Sequence, residues 1–157
     1  MASDLVTTVD TGPHRVSRRV VVDAPAAEIF ELIVNPHRHP DLDGSGTVRK
    51  KPVKGPEKLT DGARFSVRMR QFGVPYTITS TATEVRTDRV VEWRHPMGHR
   101  WRWDLEALSP TTTQVTETFD YSTLAVPKVM ELLRYDEKNG QGIEETLRAL
   151  ARRFQGA

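Results

Sequence analysis

The chain predicts an α+β domain: a curved antiparallel sheet of about seven strands wrapped round one long C-terminal helix, with two short helices after the first strand. Three observations predict it. About 75 residues in the middle alternate apolar and polar side chains with period two. The connections in that stretch are short and rich in Gly, Pro, Asp and Ser, so neighbouring strands pair as hairpins. The last segment, "DEKNGQGIEETLRALARRF", switches to helical spacing, with Ile143, Leu147, Leu150 and Phe154 in one apolar stripe.

The elements follow in order. The polar residues 1–13 are expected to be a disordered tail, and 14–155 a single domain. "HRVSRRVVVDA" reads as a strand. "PAAEIFELIVN" reads as a helix, with Pro25 near its first position, Asp23 available as a cap, and Ile29, Phe30 and Ile33 on one face. "PHRHPDLDGSG" is broken by prolines and glycines and leads into a loop. "TVRKKPV" reads as an edge strand because it contains a proline. "GARFSVRMRQF", "VPYTITSTATEVR", "DRVVEWRHP", "HRWRWDLEALS" and "TTQVTETFDYS" complete the meander. "VPKVMELLRY" reads as a short helix. Gly140 and Gly142 weaken the first turns of the last helix or mark a close approach.

One hairpin shows what the sheet faces do. "VVEWRHPMGHRWRW" closes through Pro96-Met97-Gly98, with Gly98 suited to the left-handed position such loops require. That register sets His95 opposite His99, Trp93 opposite Trp101 and Val91 opposite Trp103, all on one face. The other face pairs Glu92 with Arg102 and Arg94 with Arg100. A nucleic-acid platform wants aromatics and cations on the same face. Here parity separates them, so no nucleic-acid partner is expected.

The composition excludes other classes. There is no cysteine, which removes disulfides, thiolate metal sites and cysteine nucleophiles. The net charge is +2, with acidic and basic residues interspersed apart from the basic run Val48–Lys54, which reads as a solvated strand edge. No signal-peptide pattern and no apolar span are expected, so the chain is expected to be cytoplasmic without stable membrane insertion. No phosphate-cradling glycine loop or dinucleotide fingerprint occurs, so no cofactor is expected. "HRHPDLD" (His37, His39, Asp41, Asp43) has metal-like spacing, but it sits in a Pro-interrupted loop with no distant partner ligand. It reads as a surface loop, and no metal is expected.

The candidate chemistry lies on the inner sheet face. Glu117 falls in the apolar file Val115, Phe119, Tyr121. A carboxylate there costs several kcal/mol unless paired, hydrated or protonated. Either a register shift turns it outward, or the interior holds water or ligand. His95 and His99 flank a hairpin tip, where an imidazole is a solvated turn residue or a general base.

The order of elements resembles the START-like superfamily, also called SRPBCC, with its helix-grip fold. The points of resemblance are "VVVDAPAAEIFELIVNPHRHPDLDGS", "GARF", "TEVRTDRVVEWRH" and "GIEETLRALARRF", which together cover Val16 to Phe154. The version here is most similar to the bacterial polyketide cyclase/dehydrase-type group. The resemblance implies a deep cavity between sheet and last helix that takes a hydrophobic small molecule such as a lipid, polyketide or aromatic compound. It carries no catalytic residue over. The ligand-binding residues expected on that basis are Phe65, Val67, Met69, Val91, Trp93, Trp101, Trp103, Phe119, Tyr121, Ile143, Leu147 and Leu150, with Leu124–Tyr135 as a lid. The alternatives are an aromatase/cyclase-type enzyme using Glu117, His95 or Tyr121 as acid/base groups, and a protein-interaction domain with a filled core. Monomer and homodimer both remain open.

Overall fold

The computed structural model describes residues 5–42, 53–71 and 73–155, with only the backbone of 69–71. Eight strands form one antiparallel sheet in the order β1-β2-β8-β7-β6-β5-β4-β3. They are β1 Thr7–Val9, β2 Arg15–Val22, β3 Val53–Lys54, β4 Arg64–Gln71, β5 Val74–Arg86, β6 Val90–Arg94, β7 Arg100–Ser109 and β8 Thr112–Asp120. The helices are α1 Ala26–Ile33, α2 His39–Leu42, α3 Lys128–Leu132 and α4 Tyr135–Arg153, with a 3-10 turn at Pro36–Arg38. This is the helix-grip arrangement the sequence predicts.

Two expectations are corrected in detail, and a third is met in the part the structure describes. The N-terminal tail is not wholly free of structure, because Thr7–Val9 pairs with Arg19–Ser17 and adds an eighth strand. Asp23 does not cap α1. Pro25 is the N-cap residue and offers no side-chain acceptor. Of the predicted edge strand, Val53 and Lys54 pair with β4, and Thr47–Pro52 lie outside the described residues.

The inner face is set by register. β2 pairs with β8 so that Val16, Arg18, Val20 and Val22 stand opposite Phe119, Glu117, Val115 and Thr113. α4 lies over these two strands. Its close approach explains Gly140: a Cβ there would come within 2.9 Å of an Arg18 guanidinium nitrogen and 3.2 Å of Val16. Ile143, Leu147 and Leu150 are buried in the core with Phe30, Phe119 and Val20. α1 contacts β6 and β7 and closes the other half of this base. Burying such side chains is worth about 1.5–3 kcal/mol each.

The outer face carries the charges that parity put there. Glu92 is 6 % exposed and sits in a ring of donors: Thr83 Oγ1 at 2.8 Å, Arg100 at 3.3 Å and Arg102 at 3.2 Å. Arg102 also binds Asp104 at 3.0 Å and Glu84 at 2.9 Å. A β-bulge between Ala82 and Glu84 brings Glu84 to this face while keeping Ala82 and Val85 on the other. Replacing Glu92 by Ala takes from Arg100 and Thr83 the acceptor they share and from Arg102 one of three, and the expected loss is about 1–3 kcal/mol in urea unfolding, with Glu92→Gln losing less.

Candidate functional site

The β6–β7 hairpin has the register its sequence predicts. Trp93 stands opposite Trp101, Val91 opposite Trp103 and Glu92 opposite Arg102. Its tip closes with the His95 N–H donating to the His99 carbonyl at 2.8 Å and Gly98 at φ 110°. The His95 and His99 rings stack 4.2 Å apart. Trp103 in turn stands opposite Glu117, so Glu117 lies on the inner face and is 7 % exposed, with Arg18 across from it on β2. Arg18 reaches Glu144 of α4 at 3.0 Å.

Two runs of rings line this face near the hairpin tip. On one side His39 of α2 stacks on Trp93 at 4.9 Å, and Phe65 meets both edge-on at 5.6 and 5.7 Å. On the other side His99 and Trp101 contact Phe119 at 5.2 and 5.0 Å, and Phe119 stacks on Tyr121 at 5.4 Å. Trp93 and Trp101 lie between the runs and stay half-buried. With Tyr76 on β5, which shares this face by register, they are large inner-face aromatics that the helices leave partly uncovered.

The other residues expected to line a cavity do not line open space. Phe65, Val67, Val91, Trp103, Phe119, Tyr121, Ile143, Leu147 and Leu150 are all buried in the continuous core. The side chain of Met69 lies outside the described residues. The sheet–helix space at the base is therefore packed, because α1 and α4 both press onto it. Two surface depressions lie elsewhere. One of about 280 Å³ is on the outer face by Arg19, Arg89 and Asp104. The other, of about 330 Å³, is between β1 and the start of α4, by Val9, Arg15 and Asp136.

The predicted lid segment holds α3. Only Met130 of this helix is buried, whereas Val129, Leu132 and Leu133 are exposed. Glu131 accepts a hydrogen bond from the Tyr121 hydroxyl at 3.1 Å and lies 3.5 Å from His14 Nδ1. The link to His14 was not visible in the sequence, since it joins residues 117 apart in the chain. Arg134, between α3 and α4, is left-handed at φ 60°. Leu124 packs where the Gly98 turn comes close, and Thr123 Oγ1 donates to the Gly98 carbonyl at 2.7 Å.

Environment sets the chemistry of these groups. Burial, followed by the hydrogen bond to Glu131, pushes the Tyr121 phenol up to about 12, so near neutral pH it donates rather than abstracts a proton. Burial lowers His95, and burial followed by the neighbouring His95 takes His99 down to about 4. His39 is likewise pushed to about 4 by burial. His39 Nε2 donates to the Ile33 carbonyl at 2.7 Å, and His37 Nε2 approaches the Gly55 carbonyl at 2.8 Å. These two imidazoles tie the "NPHRHP" loop to the backbone. Asp41 pairs with Arg38 at 3.1 Å, and Asp43 lies outside the described residues.

The fold and this lining can now be set beside known proteins. The family described as "Polyketide cyclase / dehydrase and lipid transport" matches residues 13–155. The chain belongs to that family. An uncharacterized protein of Mycobacterium tuberculosis, Rv0088, is 51 % identical over 153 residues, which is 95 % of this chain and 68 % of the relative. Protein Ms6760 from Mycobacterium smegmatis has the same fold, with a TM-score of 0.68, 14 % identity and coverage of 94 % and 96 % of the two chains. The Zhui aromatase/cyclase from a Streptomyces species superposes with a TM-score of 0.61 at 20 % identity, covering 88 % of this chain and 93 % of its own.

The buried histidines make stability depend on acid. The unfolded His39 ring titrates near 6.5, whereas the folded one waits until about 4. The unfolded state therefore binds the proton first, and stability present above pH 6.5 is lost as pH falls toward about 4. Thermal midpoints measured across this window are expected to fall steadily in the wild type and less steeply in His39→Phe.

Proposed function

We propose that the chain binds a hydrophobic small molecule on the concave face of its sheet, against Trp93 and Trp101. The observation that carries this reading is their paired, partial exposure where two runs of aromatic rings meet on facing strands. Apolar side chains of this size are normally covered in a packed sheet–helix domain. A flat apolar ligand laid on them completes that cover and gains area at low entropy cost. Because the base beneath is packed, access depends on the Leu124–Tyr135 segment. Its helix α3 buries only Met130 and is held by Glu131, so this is the cover that can move without opening the core.

Family membership and the aromatase/cyclase neighbour support a small-molecule role. They do not choose among lipid, polyketide and other aromatic ligands. On the outer face Arg100 and Arg102 are held by carboxylates. Among the described residues no helix is long and apolar enough to cross a membrane.

The direct experiment is native mass spectrometry of the protein purified from its own host, followed by denaturing extraction. One small molecule per chain is the expected result. A bare protein whose tryptophans no apolar probe quenches would overturn the reading and favour a filled-core interaction domain. Trp101→Ala is expected to weaken probe binding at least tenfold while the far-ultraviolet circular dichroism stays unchanged.

A second reading has its own observation: the Glu117 carboxylate lies on the concave face beside Trp103, at 7 % exposure. If the ligand is also a substrate, this group and the Tyr121 phenol are the acid/base pair to test. Glu117→Gln is then expected to abolish turnover and leave ligand affinity within about threefold, as measured by product formation and equilibrium dialysis. Unchanged turnover would remove Glu117 from the chemistry.

A further inference from the structure

The two histidines at the hairpin tip are not equivalent. His95 is half-buried, and its Nδ1 accepts the Met97 backbone N–H at 3.1 Å, a bond that shapes the turn. His99 is 8 % exposed, and its Nδ1 is buried without a hydrogen-bond partner among the described residues. Its ring is held by His95, Phe119 and Trp101. His39, the other strongly buried ring, spends its nitrogen on the Ile33 carbonyl. His99 has no such tie, and a phenylalanine would fill the same space without desolvating an imidazole. An unsatisfied buried nitrogen costs about 1–3 kcal/mol. Something outside the chain that satisfies it would recover that cost.

The surroundings restrict what that can be. The His95 ring stacks on His99, Trp101 and Phe119 meet it edge-on, and the half-buried Trp101, which offers a flat ring, stands next but one to His99 in the chain. Burial keeps the imidazole neutral at physiological pH, so one ring nitrogen donates and the other accepts. A hydroxyl can do either and therefore suits both tautomers. Arg18 is engaged with Glu144, and Arg100 reaches Glu92 on the outer face. Glu117 adds a carboxylate to the same concave face. An anionic head group at His99 would thus be desolvated beside a neutral ring.

We propose that His99 is the polar anchor of the concave site and selects a neutral, flat aromatic ligand that carries a hydroxyl group. The inference rests on the reading that this face takes an apolar ligand. It adds the residue that orients the ligand and the functional group it recognises.

The test uses three probes of one shape: naphthalene, 2-naphthol and 2-naphthoate, with affinities from equilibrium dialysis near neutral pH. The expected result is 2-naphthol binding about tenfold more tightly than naphthalene, with 2-naphthoate weaker than 2-naphthol. His99→Phe should still bind naphthalene and lose the preference for the naphthol. Nitrogen-15 spectra of the wild-type histidine rings give a second readout that needs no variant: the His99 nitrogens should shift with 2-naphthol and not with naphthalene. Equal affinities for naphthalene and 2-naphthol, tighter binding of 2-naphthoate, or an unmoved His99 signal in the naphthol complex would each overturn the anchor while leaving apolar binding intact. Failure of all three probes to bind would instead overturn the binding reading itself, and the anchor with it.

Discussion

The register of the β6–β7 hairpin is the constraint on which the rest of this structure depends. A three-residue turn with Gly98 in the left-handed region locks Trp93 against Trp101. Side chains alternate along a strand, so this single pairing decides the face of every residue from Val90 to Asp104. A slip of one residue would put the tryptophans in solvent and Glu92, Arg100 and Arg102 in the core. Both outcomes are costly, which is why the register is well determined.

From that register the two faces acquire opposite characters. The outer face is an ionic array whose members satisfy one another, with Glu92 held by three side chains. The inner face is apolar and aromatic and needs cover. α1 and α4 supply it at the base, where Phe30, Val115, Ile143 and Leu147 are enclosed. Nearer the hairpin tip the cover is thinner: α2 contributes the His39 ring, and α3 is a short helix held by Met130 and Glu131. The functional reading arises from this gradient of coverage along one face, rather than from any motif of reactive residues.

The gradient also separates the polar groups by task. His39 and His37 fasten a loop to the backbone, and Arg18 joins sheet to helix through Glu144. Glu117, His99 and Tyr121 are buried polar side chains of the aromatic face, with the Tyr121 hydroxyl donating to Glu131. Each is buried, and burial together with its neighbours keeps the Tyr121 phenol protonated and the His99 imidazole neutral. On the proposed reading, such a surface would recognise by hydrogen bond and shape rather than by charge.

The sequence by itself determined the strand alternation, the hairpin register through its Gly98 turn and the apolar stripe of α4, and left to the tertiary structure whether Glu117 faces inward and whether Gly140 marks a close approach. The first three are local properties: a period of two or 3.6, or one residue's backbone freedom, is readable from neighbours in the chain. Tertiary structure decided the rest. The bulge at Ala82–Glu84, the pairing of Thr7–Val9, the His39 ring on Trp93 and the His14–Glu131 contact all join segments that carry no local signal of one another. It also decided which inner-face residues are core and which are lining. Alternation names the face a side chain points to, but only the placement of the helices over that face determines how much of it stays open.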